Sequence, residues 1–195
     1  FQHYWEGVHA RQVADKPSLR RHVRRYELNH RLHEDYARDR FRPEGAGAGW
    51  DGVAVMWFDS PSDFEAMQAE PAFSAHAGDG AEFRDEAQLV VLTHDPEVIV
   101  SKPNCGDAGA KMVCILRRKA GFDLAKFHEH WLHHHGGLFR HVPELHEPLL
   151  AYEQNHGVAS PNADFDGVTE QWFRSYQSFL ASLEVEAVER DVNPD

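Results

Sequence analysis

The apolar positions of the second half follow two periods in alternation. Lys111 to Lys119, KMVCILRRK, is a short apolar, partly β-branched run that ends in charge, which predicts a strand. Gly121 and Asp123 follow, the Asp placed as a helix cap, and then Phe127, Trp131 and His135 recur every four residues, which puts them on one helical face. After Pro143, the stretch from Pro148 to Val158 reads as a second strand and DGVTEQWF from Asp166 as a third. Ser175 to Val188, with Phe179 and Leu183 four apart, reads as a second helix. The order is β-α-β-β-α.

The first half carries the same pattern, residue for residue. With Phe1 placed on Phe127, Trp5 meets Trp131, His9 meets His135, Pro17 meets Pro143 and Leu19 meets Leu145. The same offset brings YELNH at Tyr26 onto YEQNH at Tyr152 without a gap. DGVAVMWF from Asp51 then lies on DGVTEQWF from Asp166 at a smaller offset, which Phe64 and Phe179 keep. The first copy therefore holds an extra loop within His33 to Trp50, where EGAGAGW supplies flexible residues. Rare residue types held in register, lost at one insertion and then recovered, mark an internal duplication. In the first copy PAFSAHAGDG ends the helical part and AQLVVLTHDPEVIV supplies a closing strand, so the complete unit is β-α-β-β-α-β, the ferredoxin-like arrangement. The reading divides the chain into a first unit, 1–104, without its opening strand, and a second, 105–195, without its closing strand; on this reading the sequence is part of a longer chain.

The ordered motifs F-x-x-[YH]-W-x-x-x-H, P-x-L, Y-E-x-N-H, D-G-V and W-F, each present twice, resemble the EthD family of the dimeric α+β barrel superfamily. The resemblance implies an α+β fold in which tandem ferredoxin-like units form an intramolecular dimeric α+β barrel, one chain supplying both halves. It implies small organic molecules bound between a sheet and its helices or inside the barrel. It does not define a reaction, because relatives include cofactor-free monooxygenases, cyclases, dehydratases, muconolactone-type isomerases, haem-binding enzymes and proteins of no assigned chemistry.

Composition narrows the partners. The chain has 195 residues, 42% hydrophobic and 27% charged, as expected of a globular protein. A net charge of -12 repels nucleic acid and anionic lipid. No apolar run approaches the ~18 residues of a membrane span and FQHYWEGVHA is no secretory signal, so a cytoplasmic location is expected. Two cysteines, Cys105 and Cys114, make neither a CxxC pair nor a disulfide framework. A small-molecule substrate is the expected partner, with room left for a further homodimer.

Fifteen histidines are the anomaly, because this side chain changes charge near neutral pH. Trp5 and His9, like Trp131 and His135, lie one helical turn apart, so that the Trp packs and the His either exchanges a proton with substrate or caps the helix end. Strand alternation puts Tyr26 and His30 on one face, with Tyr152 and His156 repeating it. In the first copy His22 and Arg24 extend that face and would hold an anionic substrate; Pro148 and Leu150 take their places in the second, which favours the first pocket as the active one. RRHVRR from Arg20 also reads as a solvated strand edge, which a charge run more often is than a binding site. The candidate catalytic groups are thus His9, His30, Tyr26, His135, His156 and Tyr152, and the substrate-binding groups Trp5, His22, Arg24, Trp131 and Trp57. FHEHWLHHHGG lacks HExxH and any nearby cysteine, so no metal is expected, and without a nucleotide or flavin motif no cofactor is expected either. Asp51 and Asp166 are expected to shape turns. The expected activity is cofactor-independent acid and base rearrangement, as isomerase or lyase, of a small unsaturated anionic metabolite such as an aromatic ring-cleavage product. The rivals are a cofactor-free monooxygenase of a phenolic substrate and a non-enzymatic binding barrel.

Overall fold

The computed structural model describes residues 1–36, 49–92, 94–157 and 165–184. They form two compact units, Phe1–Val90 and Val91–Asp195. The inserted stretch of the first copy falls largely at 37–48, outside the described residues.

In the first unit helix α1 is built of Gln2–Tyr4, a wider π-helical stretch Trp5–His9, and Ala10–Ala14, run end to end. A one-turn helix α2 (Pro17–Arg20) leads into β1 (Arg25–His30), and a second, α3 (His33–Tyr36), follows it. β2 (Gly52–Trp57) pairs with β1 in antiparallel register, Tyr26 opposite Met56 and His30 opposite Gly52. Helices α4 (Pro61–Gln68) and α5 (Pro71–Gly78) come next, α5 running into a 3-10 turn at Asp79–Glu82. Val13, Leu19 and Met67 form the core, with Tyr26 and Met56 packed on it from the sheet.

The second unit repeats the plan in β4 (Ala110–Leu116), α6 (Leu124–Glu129, π-helical His130–His135, Gly136–His141), α7 (Pro143–His146), β5 (Leu149–Gly157), β6 (Gly167–Phe173) and α8 (Tyr176–Ser182). Its sheet has a fourth member, β3 (His94–Ser101), and the order β3-β5-β6-β4, antiparallel throughout. β3 corrects the expectation drawn from the sequence. It comes from the stretch read as closing the first copy's sheet, yet it pairs with β5 of the second. The compact units accordingly meet at Val90 and Val91, ahead of the expected 104/105 boundary.

Local signals explain why these elements form. Asp123 accepts a bond from the backbone N–H of Lys126 at 2.7 Å, the cap expected at the start of α6. Ser60 and Ser175, equivalent in the two copies, cap α4 and α8 by accepting from the N–H three residues on. The D-G-V motif has a steric cause. A methyl group built on Gly52 would overlap the six-membered ring of Trp5, and one on Gly167 that of Trp131. Each indole therefore lies against bare backbone at the start of a strand, and glycine is required by close approach rather than by dihedral angle.

Gly52→Ala and Gly167→Ala should each lower stability by about 1–3 kcal/mol, the usual cost of overpacking, read as a drop in the thermal midpoint. Trp5→Phe added to Gly52→Ala should recover part of the loss. Full stability of both glycine variants would show that the indoles are not held where they lie.

Candidate functional site

In the first unit α1 and β1 diverge around a cavity of about 450 Å³, lined by Glu6, Ala10, Arg11 and Ala14 from the helix and by Tyr26, Leu28 and His30 from the strand. Strand alternation predicts the last three together, and the structure brings Tyr26 and His30 to one wall. The Trp5 ring meets His30 edge to face, centroids 5.2 Å apart. Nε2 of His30 lies 4.0 Å from the Glu6 carboxylate, and its Nδ1 is buried without a hydrogen-bond partner among the described residues. Burial pushes the Tyr26 phenol up to about 12, so it stays protonated and available as a donor at neutral pH.

The expected anion clamp is not there. Arg24 is exposed and grips Asp59 through two of its nitrogens, and His22 sits 3.1 Å from Glu70 beside Arg21. Both precede β1 in the turn after α2, so strand alternation does not extend to them. The cation that does line the cavity is Arg11. Trp57 is also displaced: β2 turns it to the face away from α1, where the Arg25 guanidinium lies 4.5 Å over its ring and is itself bonded to Glu27. The second copy repeats that device with Lys111, 4.5 Å over Trp172 and 2.8 Å from the buried Glu170.

His9 is brought to a different set of neighbours. The π-helical stretch closes with the Ala10 N–H bonded to the Trp5 carbonyl, five residues back, and its wider turn separates two side chains that a regular helix would align. Trp5 goes to the sheet, while His9 donates from Nδ1 to Asp79 at 3.0 Å and stacks on His76, centroids 4.1 Å apart. Tyr4 donates to the other oxygen of Asp79 at 2.8 Å, holding that carboxyl below its ordinary range. His9 caps no helix end. It is 3% exposed, lines no part of the cavity, and burial lowers its pKa. Of these neighbours Tyr4 stands at the [YH] position of the F-x-x-[YH]-W motif, while His76 and Asp79 carry no local signal in the sequence beyond the HAGD stretch.

The second copy fills the equivalent space. Gly136, the counterpart of Ala10, packs against Ile99 of β3 and against Gln154, and Leu132, the counterpart of Glu6, joins the same core. Gln154, fully buried where the first copy has Leu28, donates to the Trp131 carbonyl and to the Tyr152 hydroxyl, both at 2.9 Å, and accepts from His156 at 3.1 Å. His156 stacks on Trp131 at 4.7 Å. Burial holds Tyr152 up at about 12. His135 packs beside Phe139 and is pushed down to about 4, chiefly by burial. Tyr152, His156 and Trp131 thus meet around one glutamine, and His135 stands apart. By the repeat offset, the counterparts of His76 and Asp79 fall at 191 and 194, outside the described residues.

Asp166 ties the end of β4 to the start of β6, accepting from the Arg118 backbone N–H at 2.7 Å and from the Arg118 guanidinium. Among the described residues no three His, Cys, Asp or Glu side chains could share a metal ion, and no helix is long and apolar enough to cross a membrane.

Gln154→Leu, which gives the second copy the residue of the first, removes the side chain that the Trp131 carbonyl, the Tyr152 hydroxyl and His156 share. It should cost about 1–3 kcal/mol in denaturant unfolding of the second unit, and an unchanged midpoint would count against the glutamine as its anchor.

A family model described as the EthD domain matches residues 1–87 and 119–195. No curated protein and no solved structure matches the chain.

Proposed function

The chain belongs to the EthD family, and from that premise we propose that its first unit is a cofactor-independent acid and base site for a small, largely apolar organic acid. The observation that carries this reading is the cavity between α1 and β1, open in the first copy and packed shut by Ile99, Leu132 and Gln154 in the second. Ala10, Ala14 and Leu28 offer apolar wall, and Arg11 offers a cation for a carboxylate. His30 has a buried ring nitrogen to spare and the Glu6 carboxylate near the other. A neutral imidazole there takes a proton from a carbon activated by an adjacent carbonyl or double bond. The electron pair left behind moves the double bond, and the imidazolium returns the proton at another carbon, so that substrate and product are isomers. The Tyr26 phenol donates to the oxygen on which charge develops and keeps its own proton. Loss of a leaving group in place of reprotonation turns the same groups to a lyase step. Unsaturated lactones and acids of the kind left by aromatic ring cleavage fit this chemistry and this size.

The test is turnover of a panel of such acids by the whole chain. His30→Gln should lower kcat/KM by roughly 10²–10⁴-fold, the usual worth of a positioned proton-transfer group, while His156→Gln stays near wild type and no oxygen is consumed. Equal rates for the two variants, or stoichiometric oxygen uptake, would reject the assignment.

A further inference from the structure

Helix α1 forms one wall of the cavity, and it is fastened on another side by the stretch from His76 to Arg84. Tyr4 and His9 both donate to Asp79, at 2.8 and 3.0 Å. The rings of His9 and His76 lie 4.1 Å apart with 29° between their planes. Phe83 closes on Tyr4 at 5.6 Å and on His9 at 4.8 Å. Both imidazoles are buried, at 3% and 6% exposure, and Nδ1 of His76 has no hydrogen-bond partner among the described residues.

Such a stack is opposed by repulsion once both rings are charged. α1 presents Tyr4 and His9 to it, with Lys16 just past its end; the facing stretch presents His76, Asp79, Glu82, Arg84 and Glu86. Asp79 is the carboxylate in contact, and it already serves Tyr4 and His9. Arg84 adds positive field at both rings. A second proton would therefore enter a buried site beside one imidazolium and one guanidinium.

We propose that the His9–His76 stack is a pH-sensitive clasp, which holds α1 in place when neutral and releases the His76–Arg84 stretch when protonated. The sign follows from the rings. Burial lowers the pKa of His9, and it carries His76 from 6.5 to about 4. A base held down in the closed form contributes its stability above the free value and loses it as the pH falls. The clasp is whole above 6.5 and weakens on the way to 4. For His76 alone that gap favours opening by on the order of 10²–10³ at the acid end. Release of a cavity ligand on acidification would follow, a consequence that rests on the cavity reading; the opening itself does not.

Hydrogen exchange read by mass spectrometry on the whole chain, corrected for intrinsic rates, tests the opening without any ligand. Between about pH 7 and about pH 4.5, amides of 73–84 should lose protection by roughly tenfold or more in the wild type. His76→Phe, which retains a stacking ring and removes the charge, should abolish the difference. Unchanged protection in the wild type, or the same acid sensitivity in His76→Phe, would overturn the clasp. Should that variant not fold, the carbon-bound proton resonance of His76 in the wild type decides: a midpoint near 4 supports the clasp and one near 6.5 removes it. Failure of the exchange test leaves the cavity reading standing, and failure of the His30 variant leaves the clasp standing.

Discussion

An indole ring resting on the backbone of a glycine sets the geometry of each unit. Trp5 on Gly52 and Trp131 on Gly167 fix how closely helix and sheet approach and where along the strand they meet. The strand histidine packs on the same ring, His30 on Trp5 and His156 on Trp131. The position of the strand imidazole is therefore inherited from the helix–sheet contact, and both copies keep it. Because the core is close-packed, an added methyl at the glycine moves everything that the ring supports.

What differs between the copies is the flank of that contact. In the second unit β3 occupies the outer edge of β5 and brings Ile99 over Gly136, while Gln154 ties strand, helix carbonyl and tyrosine together. Among the described residues β1 pairs only with β2, and the corresponding flank is a cavity with ionisable groups at its margin. One ancestral layout has been turned toward a filled scaffold in one half and an accessible recess in the other.

Much of this was legible from residue order. The duplication, the paired strands, the α+β class and the common face of Tyr26 and His30 follow from period and offset. The EthD motifs pointed to the family to which the chain belongs. The failures have physical causes. A helical wheel assumes regular spacing, so the π-helical turn that parts Trp5 from His9 was invisible, and with it the meeting of His9 with Asp79. Period-two alternation holds only within β1, which begins at Arg25, so it does not reach His22 or Arg24, and Arg24 lies on Asp59 and not in the pocket. The partner of β3 could not be read from its own residues, because an apolar strand pairs wherever an edge of matching length is free.

The pairing of β3 also separates two boundaries that usually coincide. The stretch of the first copy that matches the family ends at 87 and that of the second begins at 119, whereas the segment that packs together begins at Val91 and takes in β3. A fragment cut at the seam of the repeat would leave β5 with a bare edge, whereas one begun near Val91 would carry its own border. Exchange of halves between relatives would have to respect the second boundary and not the first.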